Sequence, residues 1–192
     1  RLNRLLAQGG VRVVFTGHGH AQDVSLASAG DGWLIDVETG SLSSYPDPWR
    51  MVSLGPGSLV RIQSRFVTAT AAMPDDFPRY SRARLRQAIL EALVWGLGRA
   101  GVRSEDAAHL AGQAARTIEL FFSGDELAGE IRLDTRGMRA WGAMVGKLLE
   151  GPLTDLGNDR LPPDNDLLID LAAFANEMRL RRRGGFASPP LP

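Results

Sequence analysis

The chain contains no cysteine. That excludes a disulfide framework and thiolate metal sites, and it leaves the compartment open. Lysine is nearly absent as well: arginine supplies 21 of the 22 basic residues, a sign of coding bias more than of function. Net charge is zero, with 22 basic and 22 acidic residues. Nothing in that balance calls for nucleic acid or an anionic membrane as partner. No apolar run approaches the roughly 18 residues that a membrane span needs. With no targeting signal to read, the cytoplasm is the default expectation.

What is present suits a folded domain. The 192 residues are 44% hydrophobic and 23% charged, ordinary values for a globular protein. At this size a chain buries roughly 70% of its unfolded surface. The sequence opens on Arg1 and enters a buried-looking strand within about ten residues, so it reads as truncated at its N-terminus.

Residues 1–8 have the pattern of a helix end, closed by Gly9-Gly10. Val11 to Phe15 is a β-branched run that predicts a mostly buried strand. Further strands are expected at Trp33 to Glu38, Met51 to Leu54 and Leu59 to Val67. Gly30-Asp31-Gly32 and Gly55-Pro56-Gly57 have the chemistry of tight antiparallel turns. The segment Gly40 to Arg50, with Pro46 and Pro48, reads as a loop.

Composition shifts at Met73 to Pro78, and the pattern beyond is helical. Arg82 to Leu97 places Leu85, Ile89 and Leu93 at four-residue spacing. Ser104-Glu105-Asp106 predicts a second helix start, with a capping serine and two acids at the positive end of the dipole. A third helix is expected over Arg136 to Leu149 and a fourth from about Asn165 to Arg182. The division expected is half of a mixed α/β domain over residues 1–73, an all-helical module over 79–183 and a flexible tail over 184–192.

The chemistry centres on Gly17-His18-Gly19-His20, directly after the first strand. Open α/β sheets place ligand sites beyond the carboxyl ends of their strands. Glycines at 17 and 19 are expected to free the loop so that both imidazoles turn toward one point. Neutral imidazole is a common ligand for zinc, manganese or iron. His18 and His20 are therefore candidate metal ligands and catalytic residues.

Gly17 to Val24, then Ile35 to Leu42, then Tyr45-Pro46-Asp47-Pro48-Trp49-Arg50 together resemble the end of calcineurin-like metallophosphoesterases. That family closes its metal site with Gly-His-x-His after a central strand, and a bacterial subgroup is similar through Glu-Thr-Gly-Ser and Tyr-Pro-x-Pro as well. The resemblance covers about residues 10–68. It implies the C-terminal half of a four-layer αββα fold with two mixed sheets, binding two divalent ions (Mn, Fe or Zn) and hydrolysing a phosphoester substrate. In that scheme His18 matches a ligand of the second metal and His20 a ligand of the first. Asp23 is a candidate acceptor orienting one imidazole.

The family pattern also needs Asp-x-His, Gly-Asp, Gly-Asn-His and a further histidine earlier in the chain, and none precedes Gly17. Gly124-Asp125 and Gly157-Asn158-Asp159 echo such fragments in the wrong order. Two ligands cannot hold a dinuclear centre, so the isolated chain is expected to bind metal poorly and turn over little. The alternative is a non-catalytic interaction protein working through its helical module.

Other signals point to structure. Gly96 to Gly101 matches a dinucleotide fingerprint but ends a helix instead of opening one. Arg179, Arg181, Arg182 and Arg183 complement a helix C-terminus. His109 reads as structural or exposed. Ser41 has no histidine base in a defined relation to it. Trp95, Phe121, Phe122, Trp141 and Phe174 are expected to build the helical core.

Overall fold

The computed structural model describes residues 2–29, 32–159 and 162–176. It shows a mixed α+β protein with two three-stranded sheets. Helix α1 (Leu2–Gln8) leads into β1 (Val13–Thr16). Strands β2 (Asp23–Ala29) and β3 (Gly32–Glu38) complete the first sheet, in the order β1-β3-β2. β1 runs parallel to β3, with Thr16 beside Glu38, and β2 runs antiparallel, with Asp23 opposite Glu38. Ala29 pairs with Gly32 at the end of the β2–β3 ladder. Gly30 and Asp31 themselves lie outside the described residues.

The second sheet joins β4 (Pro48–Leu54), β5 (Leu59–Phe66) and β6 (Asp166–Asp170), antiparallel throughout. The turn at Gly55 to Gly57 connects β4 to β5 as its residues suggest. β6 is a correction. A helix was expected from Asn165, but Leu167 and Ile169 alternate toward the core, and Leu59 to Gln63 of β5 supply the ladder. Helix resumes only over residues 171–176, where the Asp170 carboxylate caps the N–H groups of Ala172 and Ala173. The segment 79–183 is thus not all-helical: its later part returns to the sheets.

The two sheets share one apolar core. Val24, Trp33, Ile35 and Val37 from the first sheet meet Val60, Ile62 and Ile169 from the second. At about 25 cal/mol per Å2 this burial is the main force joining the sheets. Phe174 is part of this core and not of the helical one: its ring lies 4.6 Å from that of Trp33, edge to face.

The helices are α2 (Phe77–Arg99), α3 (Ser104–Phe121) and α4 (Ala140–Leu156). α2 begins earlier than expected because Pro78 is compatible with a first helical turn. Gly101, at φ +81°, takes the left-handed conformation just beyond the helix end. Ser104 is the first helical residue of α3 and makes no capping hydrogen bond, so the capping role expected of it is not realised. α4 starts four residues late, after a turn in which Gly137 is left-handed, and runs through Pro152.

Leu85 and Ile89 of α2 meet Ala115 of α3, while Leu97, Leu110 and Leu153 join α2, α3 and α4. Glu119, buried on α3, pairs with Arg82 and lies 3.7 Å from Arg86 on α2. Trp95 and Trp141 are largely exposed and do not build the core expected of them. Among the described residues no helix is long and apolar enough to cross a membrane. The arginine cluster beyond residue 178 and the expected tail lie outside them.

Candidate functional site

The histidine loop leaves the carboxyl end of β1, beside the carboxyl end of the parallel β3. His18 and His20 are both exposed. Between them, the Gly19 N–H donates to the carboxylate of Glu38, the last residue of β3. A Cβ at Gly19 would stand 2.6 Å from Glu38 Oε1. A side chain at 19 would meet the flexible end of Glu38, which can shift, and Gly19 is not one of the left-handed glycines, so the conformational freedom expected from the sequence is not used there. The left-handed residue is His20 itself, at φ +60°. Such a backbone is uncommon outside glycine, and it recurs where a loop is held for function.

Around the loop the two sheets are tied by one buried side chain. Gln22 accepts the Gly40 N–H at 2.9 Å and donates to Ser64 Oγ at 2.9 Å and Asn165 Oδ1 at 3.1 Å. Asp23 opens β2 directly opposite Glu38, and like charges across a ladder repel. Burial first, then Glu38 and Asp36, push the Asp23 carboxyl above its usual range, while Arg50 pulls it back. No hydrogen bond joins Asp23 to either imidazole among the described residues. Ser41 Oγ pairs with Ser43 Oγ at 2.8 Å and makes no hydrogen bond to a histidine among the described residues, and His109 is exposed on α3.

Behind Asp23 lies a group of acids that sequence reasoning set aside. Asp125 and Asp164 are cross-bonded: the Asp164 N–H donates to Asp125 Oδ1 at 2.7 Å and the Asp125 N–H to Asp164 Oδ2 at 3.1 Å. Asp164 Oδ1 also accepts the Val24 N–H at 2.7 Å, and Asn165 Nδ2 donates to Asp125 Oδ2 at 2.8 Å. Burial, with Asp159 and Asp23 adding to it, pushes the Asp164 carboxyl up to about 7 against those two N–H donors. Glu126 is pushed up to about 8, by burial first and then by Asp164, Asp159 and Asp23. The three guanidinium nitrogens of Arg50 are buried without a hydrogen-bond partner, and Asp164, Asp23 and Asp125 are the charges that favour its cation.

A separate cavity of about 330 Å3 lies between the ends of β4 and β5 and the start of α2, lined by Tyr45, Asp47, Phe66 and Ser123 among others. Neither histidine borders it.

Two exposed imidazoles suit a borderline divalent ion as donors. Among the described residues no third histidine or carboxylate joins them in a set of convergent ligand atoms. Compared with known proteins, the chain matches no family model and no curated protein. The restraint on Gly19 and the bridge through Gln22 left no trace in the sequence, because their partners are set by tertiary pairing.

Proposed function

We propose that the chain is the C-terminal part of a metal-dependent phosphoesterase of the calcineurin-like kind, in which His18 and His20 are two ligands of a dinuclear centre. The observation that carries the reading is the loop itself: two exposed histidines at the carboxyl end of a parallel strand, anchored through Gly19 to Glu38, with His20 held left-handed. The motif resemblance around residues 10–68 supports it. The two sheets sharing one core are compatible with the inner layers of the four-layer arrangement.

The roles of this chain's own residues follow. His18 and His20 each present a nitrogen donor, Glu38 fixes the loop between them, and Gln22 locks that loop's exit to the second sheet. When bound, a pair of divalent ions supplies a hydroxide nucleophile near neutral pH and charge for the phosphoryl oxygens. The remaining ligands come from outside these 192 residues. Hydrolysis of bis-p-nitrophenyl phosphate with manganese tests the reading. The isolated chain gives little or no turnover, whereas a protein that also carries the upstream Asp-x-His, Gly-Asp and Gly-Asn-His motifs turns over and loses activity with His18→Ala.

A second reading, an interaction protein, draws on one observation: Trp95 of α2 and Trp141, Met144 and Leu148 of α4 are exposed. Normal hydrolysis in a Trp95→Ser/Leu148→Ser variant of the longer protein separates a surface role for these residues from the catalytic one.

A further inference from the structure

We propose that the cavity beside Asp47 binds a small organic cation, a primary ammonium group on an apolar or aromatic body, with the Asp47 carboxylate as its counter-ion. The cavity, about 330 Å3, has Tyr45, Phe66 and Pro78 among its apolar walls and Thr68, Ser123 and Asp47 as its polar ones. That volume lies at the small end of the roughly 300–1,000 Å3 found for ligand pockets, and an apolar lining with a few polar groups is their usual composition.

The carboxylate carries the argument. Asp47 is 2% exposed, and its Oδ2 is buried without a hydrogen-bond partner. A buried carboxylate oxygen without a donor is costly. Among the described residues no arginine or lysine forms an ion pair with Asp47. Arg82, whose guanidinium lies 5.7 Å from the centre of the Tyr45 ring, is paired with Glu119 instead. Burial pushes the Asp47 carboxyl above its ordinary range, and the Ser81 side chain opposes that only in part. Asp47 borders the cavity, so the missing donor has room to arrive from that side. An ammonium group supplies both the donor and the positive charge; a hydroxyl supplies the donor alone, and an anion is repelled.

The fold holds this side chain in place at a cost to the backbone. Asp47 is left-handed, at φ +56°, a conformation that residues other than glycine take up rarely and that recurs at binding sites. Its N–H donates to Ser44 O at 2.7 Å, and its carbonyl accepts the Val67 N–H at 3.1 Å. The residue is thus fixed both by its own turn and by the segment that leaves β5. Pro48 pairs with Phe66 at the adjoining end of the β4–β5 ladder, which brings the phenyl wall alongside. Pro78 in the first turn of α2 and Ser123 just beyond α3 complete the lining.

The test is calorimetric titration of benzylamine into the 192-residue chain at neutral pH, with benzyl alcohol as the neutral counterpart. One benzylamine per chain is expected to bind. Benzyl alcohol on the parent chain, and benzylamine on Asp47→Asn, should each bind at least about tenfold more weakly, the effect of losing one charge-assisted hydrogen bond. Thr68→Trp, at an exposed position outside helix and strand, fills the cavity and should abolish binding. It serves if Asp47→Asn does not fold. Absence of saturable binding at millimolar benzylamine overturns the proposal. So does equal binding of the alcohol, or binding that survives either substitution. Neither His18 nor His20 borders the cavity, so the phosphoesterase reading stands or falls separately, on hydrolysis.

Discussion

The carboxylate of Glu38, at the end of the central strand β3, accepts the backbone N–H of Gly19, the residue between the two histidines. Sheet and loop are thereby joined, and the segment that carries His18 and His20 is hydrogen-bonded to a residue far from it in sequence.

Gly19→Ala should break that hydrogen bond. Its Cβ would displace the Glu38 carboxylate, which lies 2.6 Å from it. Loss of one charge-assisted hydrogen bond costs about 1–2 kcal/mol. Glu38→Gln keeps an acceptor and lessens the repulsion with Asp23, so it should be nearly neutral. Urea unfolding of the two variants, with hydrogen exchange at residue 19, checks both.

Gly124→Ala should destabilise more. Gly124 is left-handed at φ +73°, and a Cβ there would stand 2.9 Å from Asp164 Cβ and 3.0 Å from Gln22 O. The backbone penalty alone is about 1–2 kcal/mol, and the contact with fixed atoms adds to it. Thermal unfolding should show a lowered midpoint, with Gly129→Ala as a comparison that has the same backbone penalty and open space around it.

Gln22→Leu tests the bridge between the sheets. It leaves the Gly40 N–H, Ser64 Oγ and Asn165 Oδ1 without this partner in a buried site. A loss of about 2–3 kcal/mol is expected, and Gln22→Glu, which retains only acceptors, should recover part of it. Equilibrium denaturation measures both.

Acid stability should reflect Glu150. Its carboxylate accepts the Leu133 N–H at 2.9 Å, Lys147 Nζ at 2.9 Å and Arg132 Nη1 at 3.0 Å. The Leu133 N–H first, then Lys147 and Arg132, hold it down at about 2, below its ordinary 4.5. A depressed folded-state pKa means the contribution is complete above pH 4.5 and is lost as pH falls from 4.5 through 2. Glu150→Gln should therefore be less stable than the parent at neutral pH, and the gap should narrow toward pH 2 in a pH series of unfolding midpoints.

Much of the fold was legible wherever the determining pattern is local. Val11 to Phe15, Trp33 to Glu38 and Leu59 to Val67 have the composition of strands, α2 has four-residue apolar spacing, and Ser104-Glu105-Asp106 marks the start of α3. β2 was missed because Ser25, Ala27 and Ser28 carry little strand preference and only Val24 and Leu26 alternate with them. β6 was misread because Asp166 to Leu171 is as compatible with a helix as with a strand. Its pairing with β5, far earlier in the chain, decides. His18 and His20 are visible in the sequence itself, and the structure leaves both exposed beyond the carboxyl end of β1. Glu38 as the loop's anchor and Asp125, Asp159 and Asp164 as neighbours could not be read there, because only folding brings them together.

The most direct test of the central claim is manganese-dependent hydrolysis of bis-p-nitrophenyl phosphate by the product of the longest reading frame containing the codon for Arg1, with and without His18→Ala. The account predicts that this product contains the Asp-x-His, Gly-Asp and Gly-Asn-His motifs, is active, and loses at least about 100-fold in rate when one imidazole ligand is removed. An active protein indifferent to His18→Ala, or a reading frame without those motifs and without activity, would contradict it.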